Sequence, residues 1–283
     1  MKLEPGQRAY VTGAGSGIGR ALCLRLARRG VAVAACDIRA EAAEETAGLV
    51  MADGGTARSY ALDVSDADAV METADRIEAE MGEVSLVFNN AGVAMHGVKI
   101  HQLTMAEWDW VIGVNLYGVI HGIRAWVPRL VERGRPAHVI NTASLAGFQV
   151  NPDFLTGAYS MTKYAVVALS ETLELELKEH PIGISVVCPA AVASGIHLSG
   201  RARPERLGGP AEREANHFLG DLVKDGQTPD EIAGKVLAAV EEGRMFVFTH
   251  PETKAWLERR FTRVLGAYEP PLVAPEEERS DAG

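Results

Sequence analysis

Tyr159 and Lys163 lie four residues apart in a stretch of helical period, so a helix would place the phenol and the ammonium on one face. Removing hydride from an alcohol carbon also requires the hydroxyl proton to leave, and a phenol with a pKa of about 10 is a poor base at neutral pH. A Lys⁺ at roughly 4 Å would attract the phenolate by about 4 kcal/mol at an effective dielectric near 20. The pair therefore suits proton transfer at a secondary alcohol, although a Tyr and a Lys at this spacing also form ordinary surface contacts.

Ser144 distinguishes these two interpretations of the Tyr-Lys pair. It ends a predicted strand within the stretch from Asn141 to Gly147, and Tyr159 opens the next predicted helix. Ligands of open α/β sheets collect at the carboxyl ends of the strands. We therefore expect Ser144, Tyr159 and Lys163 to share one catalytic site.

A glycine-rich turn follows the first predicted strand and reads Thr-Gly-Ala-Gly-Ser-Gly-Ile-Gly from Thr12 to Gly19. Its glycines permit backbone N–H groups to approach a pyrophosphate at a helix N-terminus. The spacing only approximates Gly-x-Gly-x-x-Gly, because Ile18 occupies the place of the last glycine, and a plain strand-to-helix turn has a similar composition. The residues expected to hold a dinucleotide here are Gly13, Ser16, Gly17, Ile18 and Gly19.

The second predicted strand ends in Asp37, where a carboxylate would accept hydrogen bonds from an adenosine ribose and repel a 2′-phosphate. Arg39 follows it and would favour NADP, but the carboxylate at the strand tip favours NAD. Asp37 would alternatively cap the next helix. Asp63 and Val64, after the third strand, are expected to contact adenine, or else Asp63 caps a helix.

These motifs lie on an alternation of short apolar runs with longer stretches of helical period, which predicts repeated βαβ units. We predict a single Rossmann-type, doubly wound α/β domain over residues 1–268, with a seven-stranded, mostly parallel sheet. The predicted strands are 8–12, 31–36, 57–62, 84–89, 137–142, 183–188 and 245–248, with helices beginning near 17, 40, 66, 105, 157, 228 and 252. A helical substrate lid is expected at about 190–226. Residues 269–283 form an acidic, proline-rich tail that we expect to be flexible.

The chain resembles the short-chain dehydrogenase/reductase family over residues 7 to 195, because that family's motifs recur in order. They are Thr12-Gly-x-x-x-Gly-x-Gly19, Asp63, Asn89-Asn-Ala-Gly92, Asn115 within Gly113-Val-Asn-Leu, Ser144, Tyr159-x-x-x-Lys163 and Pro189 followed by Val192 and Ser194. Within the family, Trp110 to Leu116 and Val127-Pro128-Arg129 resemble bacterial Cα-dehydrogenases of aryl ethers.

The resemblance implies a role for each motif. Tyr159 would be the general acid/base, Lys163 would lower its pKa and hold the nicotinamide ribose, and Ser144 would orient the substrate oxygen. Asn115 would anchor a water in a proton relay. The remaining residues implied to bind the cofactor are Asn89, Ala91, Gly92, Pro189, Val192 and Ser194.

The sequence departs from the family pattern where the substrate would bind. Ala190 replaces a usual glycine, and the loop between Ser144 and Tyr159 is longer than is common. Apolar side chains of this loop and its neighbours predict a pocket for a bulky secondary alcohol or ketone, such as a steroid, aryl or terpenoid compound, with core packing as the alternative for Phe148. The candidates are Met95, Leu145, Phe148, Phe154, Leu155, His197 and Leu198.

Composition narrows the function classes further. A net charge of -10 disfavours nucleic acid binding, and no apolar stretch has the length of a membrane span. Three scattered cysteines predict reduced, buried thiols, and the eight histidines lack metal-ligand spacing, so we assign no metal. We expect a cytoplasmic homo-oligomer, a dimer or tetramer. An NADP-linked ketone or acyl reductase and a non-catalytic nucleotide-sensing subunit are the alternative functions.

Overall fold

The computed structural model describes residues 1–150, 155–211, 219–221 and 223–268. Seven strands in this part of the chain form one parallel sheet in the order β3-β2-β1-β4-β5-β6-β7. The strands are β1 (Arg8–Thr12), β2 (Ala32–Asp37), β3 (Ala57–Ala61), β4 (Leu86–Asn89), β5 (Ala137–Thr142), β6 (Ile182–Cys188) and β7 (Phe246–Phe248). The order reverses between β1 and β4, which creates the crevice where such sheets bind ligands. This arrangement confirms the predicted doubly wound α/β fold.

Helices cover both faces of the sheet, which is why its strands are apolar on both sides. Along β1, Ala9 and Val11 pack into one buried cluster with α1 and α7, while Tyr10 points into the opposite cluster with Trp126 of α5. The helices of this layer structure are α1 (Gly17–Ala27), α2 (Ala40–Ala52), α3 (Ala67–Met81), α4 (Met105–Ile112), α5 (Gly118–Arg133), α6 (Gly157–Glu176) and α7 (Pro229–Glu242). Strand and helix positions lie close to those predicted.

One helical feature was not predicted. The long helix expected from residue 105 is interrupted by a wider π-helical turn, Gly113–Tyr117, which joins α4 to α5. Asn115 sits in this turn and is fully buried. Single π turns inside α-helices recur at functional sites, because they redirect one side chain without ending the helix.

The connection after β6 contains the short helices expected there, as far as it is described. Two 3₁₀ turns occupy Gly195–Ala202 and Glu205–Leu207. Before them, Val192 pairs with Gln227 in an isolated parallel bridge.

The compact unit that holds the sheet comprises Met1–Thr249, and His250–Gly283 form a second unit. In the second unit, helix α8 (Lys254–Leu265) begins close to the predicted position and has no buried residue. The tail from residue 269 lies outside the described residues. Among the helices that the structure describes, none combines the length and apolar character needed to cross a bilayer.

Candidate active site

A cavity of about 520 Å³ lies at the carboxyl ends of the strands and brings most of the predicted site residues together. Those that line it are Gly13, Ser16, Gly17, Ile18, Asp37, Asp63, Val64, Ala91, Gly92, Ser144, Tyr159, Lys163, Pro189, Val192 and Ser194. Gly19, Asn89 and Asn115 were also predicted for the site but are not among the described residues that line the cavity.

The glycine-rich turn leaves no space for side chains at its tightest points. A Cβ at Gly19 would lie 2.1 Å from the Gly13 carbonyl oxygen, and Gly13 itself has a φ of +64°. Helix α1 begins within this turn at Gly17, and its N-cap residue Ser16 makes no side-chain capping bond. An uncapped helix N-terminus on a cavity wall suits an anionic group such as a pyrophosphate.

Asp37 faces the glycine-rich turn and does not cap α2, whose N-cap residue is Arg39. Its Oδ2 accepts a hydrogen bond from the Gly15 N–H at 2.8 Å, and its Oδ1 accepts one from the Arg39 N–H at 3.0 Å. The Arg39 Nε lies 3.7 Å from the same Oδ1. The carboxylate is therefore held at the rim of the cavity with one arginine beside it.

Asp63 also lines the cavity. It does not cap α3, because the capping side chain of that helix is Asp66. The Asp63 Oδ1 accepts a hydrogen bond from the Ser65 N–H at 3.0 Å. Its Oδ2 accepts one from Arg206 at 2.7 Å. This contact ties the segment after β6 to the end of β3.

The structure places Asn90 at the cavity and Asn89 away from it, whereas the sequence predicted that Asn89 binds the cofactor. The Asn89 side chain is buried inside the sheet layer, where its Nδ2 donates to the Asn141 Oδ1 at 2.9 Å. Asn90 lines the cavity instead, and its Nδ2 donates to the Thr12 carbonyl at 2.9 Å. Since successive residues of a strand point to opposite sides, only one member of the pair can face the cleft.

Tyr159, Ser144 and Lys163 meet on one wall of the cavity. The Lys163 ammonium donates to the Thr142 carbonyl at 2.8 Å and lies 5.7 Å from the centre of the Tyr159 ring. The Ser144 hydroxyl donates to the Pro189 carbonyl at 3.3 Å, and its Oγ accepts from the Ala146 N–H at 3.1 Å. The three side chains therefore line the same part of the cavity and can act on one substrate group.

Burial sets the pKa values of this group in a way that differs from the sequence-based expectation. Burial raises the pKa of Tyr159, and the neighbouring Ser144 hydroxyl opposes that rise. Burial also lowers the pKa of Lys163 to about 8. Both shifts favour the neutral forms, because each charged form loses hydration in the interior. Burial is therefore the dominant influence on the pKa of both groups.

Asn115 reaches the site from the π turn between α4 and α5. Its Oδ1 accepts a hydrogen bond from the Val93 N–H at 2.8 Å, and its Nδ2 donates to the Val93 carbonyl at 3.0 Å. A Cβ at Gly92 would lie 3.5 Å from both the Asn115 Oδ1 and the Lys163 Nζ. Asn115 therefore fixes the loop after β4 close to the lysine.

Most of the predicted substrate-pocket residues lie elsewhere. Among the described residues that line the cavity, Leu198 is the one that was expected for the substrate. Phe148 packs on the exposed rings of Phe246 and Phe248, with ring centres 5.9 and 5.2 Å apart, and does not line the cavity. Phe154 lies outside the described residues. The others that do not line the cavity are Met95, Leu145, Leu155 and His197.

The apolar wall is formed by residues that were not predicted for the substrate. They are Val93, Trp110, Val114, Ile196 and Pro204. Trp110 and Val114 are four apart in the chain and thus share a helix face, a periodicity that the sequence does show. The other positions follow from the path of the segment after β6, which has no comparable pattern.

The His96 ring lies against the Tyr159 ring in a tilted arrangement, with ring centres 5.6 Å apart. Burial lowers the pKa of His96 to about 4, so its imidazole is neutral at physiological pH. The three cysteines are buried free thiols. The part of the chain that the structure describes contains no group of three His, Cys, Asp or Glu side chains arranged to hold a metal ion.

The chain is similar to known dehydrogenases in both sequence and fold. Residues 7–204 match the family model described as short chain dehydrogenase. The chain is 34% identical over 280 residues to a Cα-dehydrogenase of Sphingobium sp. (strain NBRC 103272 / SYK-6), covering 98% of this chain and 91% of that protein. It is 32% identical over 271 residues to 1-deoxy-11-beta-hydroxypentalenate dehydrogenase of Streptomyces exfoliatus, covering 95% and 92%. A crystal structure of a short-chain dehydrogenase/reductase from Burkholderia phymatum in complex with NAD matches with a TM-score of 0.90 and 34% identity, over 97% of this chain and 99% of that chain.

Proposed function

Since the chain belongs to the short-chain dehydrogenase family and is a nicotinamide-dependent oxidoreductase acting on CH–OH groups, we propose that it uses NAD to interconvert a bulky, apolar secondary alcohol and its ketone. Family membership confirms the resemblance drawn from the motifs. The observation that carries the proposal is that Asp37, the glycine-rich turn and the Tyr159 group line one cavity.

The residues present fit a dinucleotide. The turn has no room for a side chain at Gly13, Gly15 or Gly19, and the uncapped start of α1 supplies N–H groups for a pyrophosphate. Asp37 would accept hydrogen bonds from the adenosine ribose, Asp63 and Val64 would flank adenine, and Lys163 would hold the nicotinamide ribose. When bound, the oxidised nicotinamide supplies the hydride acceptor and a positive charge.

Tyr159 and its neighbours would move the proton of the alcohol. In oxidation the Tyr159 Oη, as phenolate, takes the hydroxyl proton while Ser144 holds the substrate oxygen. Burial opposes that phenolate, so its formation depends on positive charge from Lys163 and from the loaded cofactor site. In the reverse direction the protonated phenol donates to the ketone oxygen.

The apolar part of the wall supports a bulky substrate. Trp110, Val114 and Leu198 face the cavity beside the reactive group. Burying a large apolar group against such a wall contributes about 25 cal/mol per Å² of apolar surface. An alcohol with an aryl or polycyclic substituent would therefore bind better than a small one.

The decisive experiment replaces the phenol and retains its ring. Tyr159→Phe should lower kcat/KM by about 10²- to 10⁴-fold on a panel of aryl, steroid and terpenoid alcohols, while Kd for NADH changes little. Tyr164→Phe, five residues further along the same helix α6, is the matched control and should retain activity. Turnover by Tyr159→Phe as fast as the parent would contradict the proposal. Tight NADH binding by the parent without turnover on any panel member would instead support a nucleotide-sensing role.

Arg39 favours NADP, because it lies beside Asp37 at the cavity. Dissociation constants for NADH and NADPH separate the alternatives. We expect tighter NADH binding, and Asp37→Ser should reduce that preference by about tenfold or more, since it removes the charge that repels a 2′-phosphate. A parent protein that prefers NADPH would contradict the role of Asp37 and leave the oxidoreductase assignment intact.

A further inference from the structure

A second chamber, of about 20 Å³, adjoins the main cavity. Trp110 and Ser199 line both spaces, and the chamber is also walled by Met95, His96 and Arg203. His96, which lines the chamber, also contacts the reactive Tyr159, with ring centres 5.6 Å apart. A space of this size has room for about one water-sized atom.

Two polar atoms of the chamber's lining residues are buried without a hydrogen-bond partner. They are the Nδ1 of His96 and the Nε of Arg203. Arg203 as a whole is only 8% exposed. Buried polar groups in folded proteins are nearly always hydrogen-bonded, and one left unpaired is costly. The chamber therefore offers two hydrogen-bonding groups to a ligand atom that enters it from the main cavity.

The charge and the size of the chamber limit which ligand group it can hold. The Glu107 carboxylate lies 4.0 Å from the Arg203 Nη1, and both side chains are buried. The Arg203 guanidinium also stands 5.5 Å from the centre of the Trp110 ring. Since Glu107 already balances the positive charge, a second carboxylate would meet a like charge, and it would not fit in a one-atom space. A single uncharged acceptor oxygen satisfies both limits.

We infer that this chamber is a subsite for one uncharged oxygen atom of the substrate, an ether, hydroxyl or carbonyl oxygen carried close to the reacting carbinol carbon. Arg203 donates a hydrogen bond from Nε, and the neutral imidazole of His96 donates one from Nδ1. The inference rests on the proposed function and narrows its substrate class, from bulky apolar alcohols to those with a second oxygen near the carbinol.

A matched pair of alcohols tests the subsite. In 2-methoxy-1-phenylethanol an ether oxygen occupies the place that a CH₂ group has in 1-phenylbutan-1-ol. The intrinsic reactivities of the two alcohols differ, so the readout is the ratio of their kcat/KM values compared between protein variants, in which that difference cancels.

Arg203→Met should lower this ratio by about tenfold or more, because it removes a charge-assisted hydrogen bond. His96→Phe keeps the ring beside Tyr159 and should lower the ratio by a smaller factor, about threefold. His96→Phe also keeps the test decisive if Arg203→Met fails to fold. Arg58→Met is the matched control, since its guanidinium pairs with Glu80 and lines neither space, and it should leave the ratio unchanged. An unchanged ratio in both test variants would mean that the chamber holds water only, which overturns the inference.

A binding measurement separates failure of the subsite from failure of the proposed function. Tyr159→Phe protein saturated with NADH is titrated with 2-methoxy-1-phenylethanone and with 1-phenylbutan-1-one by calorimetry. Tighter binding of the methoxy ketone, lost in the double variant with Arg203→Met, supports the subsite even if the parent oxidises neither alcohol. Equal affinity for the two ketones, or no binding of either, overturns it.

Discussion

The two sides of the cavity are held in place by different means. One side, here called the strand-end wall, comprises Gly13 to Ile18, Asp37 and the ends of β3 to β6, and its positions follow from parallel strand register and close backbone contacts. The other side, residues 194–211, is attached to it by side chains of Ser199, Arg203 and Arg206. The cofactor side is thus specified by the backbone, whereas the substrate side depends on a few polar contacts that substitution can alter without disturbing the fold.

Of the residues that support the strand-end wall, Gly19 should be the least tolerant of substitution. The methyl group of Gly19→Ala would lie 2.1 Å from the Gly13 carbonyl oxygen and 2.8 Å from the Asn90 Nδ2. Backbone displacement should lower the free energy of unfolding by about 1–3 kcal/mol and raise Kd for NADH by about tenfold or more. Chemical denaturation and fluorescence titration measure both quantities.

Gly48→Ala is the matched control for that substitution. A Cβ there meets nothing within 4 Å inside helix α2, so alanine should stabilise the protein by about 0.5–1 kcal/mol. Equal, small effects of the two substitutions would show that the glycine-rich turn is not held as tightly as described.

Acid should weaken the sheet that carries the strand-end wall through His138 of β5. Burial lowers the pKa of His138 to about 4, so the folded protein binds fewer protons than the unfolded chain between about pH 6.5 and 4. Stability is therefore lost as the pH falls through this window, by about 2 kcal/mol between pH 7 and pH 5. The free energy of unfolding at the two pH values measures the loss.

His138→Gln should reduce that pH dependence, whatever its stability at pH 7, because it removes the titrating ring. His101→Gln changes an exposed histidine and should keep the parental slope. A slope in His138→Gln equal to that of the parent would assign the acid sensitivity to other groups.

The smallest effect is expected at the contact between Arg206 and Asp63. The two side chains are 55% and 24% exposed, and such pairs contribute about 0.2–1 kcal/mol at low salt. Arg206→Met should accelerate hydrogen exchange in residues 194–211 by up to about fivefold, and about 1 M salt should abolish the difference by screening. Peptides covering residues 12–20 should exchange as in the parent. Acceleration there as well would mean that the two sides are not independently held.

The strand-end wall is also the part that the sequence predicts well. Its glycines and Asp37, like the Tyr159-x-x-x-Lys163 pair of α6, occupy positions where local geometry permits few alternatives, and the topology of a parallel sheet then gathers them. Asn89 and Asn90 show the limit of this reasoning, because a motif names both amides while the pleat decides which one faces the cavity.

The residues on the substrate side of the cavity could not be predicted in the same way. Phe148 has the apolar side chain expected of a pocket residue. Its ring nevertheless packs on Phe246 and Phe248, which are about a hundred residues distant in the chain. Leu198 reaches the cavity through a path of 3₁₀ turns that no periodicity encodes. Apolar character predicts burial, but long-range packing decides against which surface.

The π turn at Gly113–Tyr117 has a consequence for helix phase. An extra residue in one turn rotates everything that follows by about 100° relative to an unbroken α-helix. Trp110, before the turn, can therefore face the cavity while Trp126, after it, packs on Tyr10 beneath the sheet. Deleting one residue from this turn would withdraw Asn115 and misalign the whole of α5 at once, so a chain that shortens here loses active-site geometry and core packing in a single event.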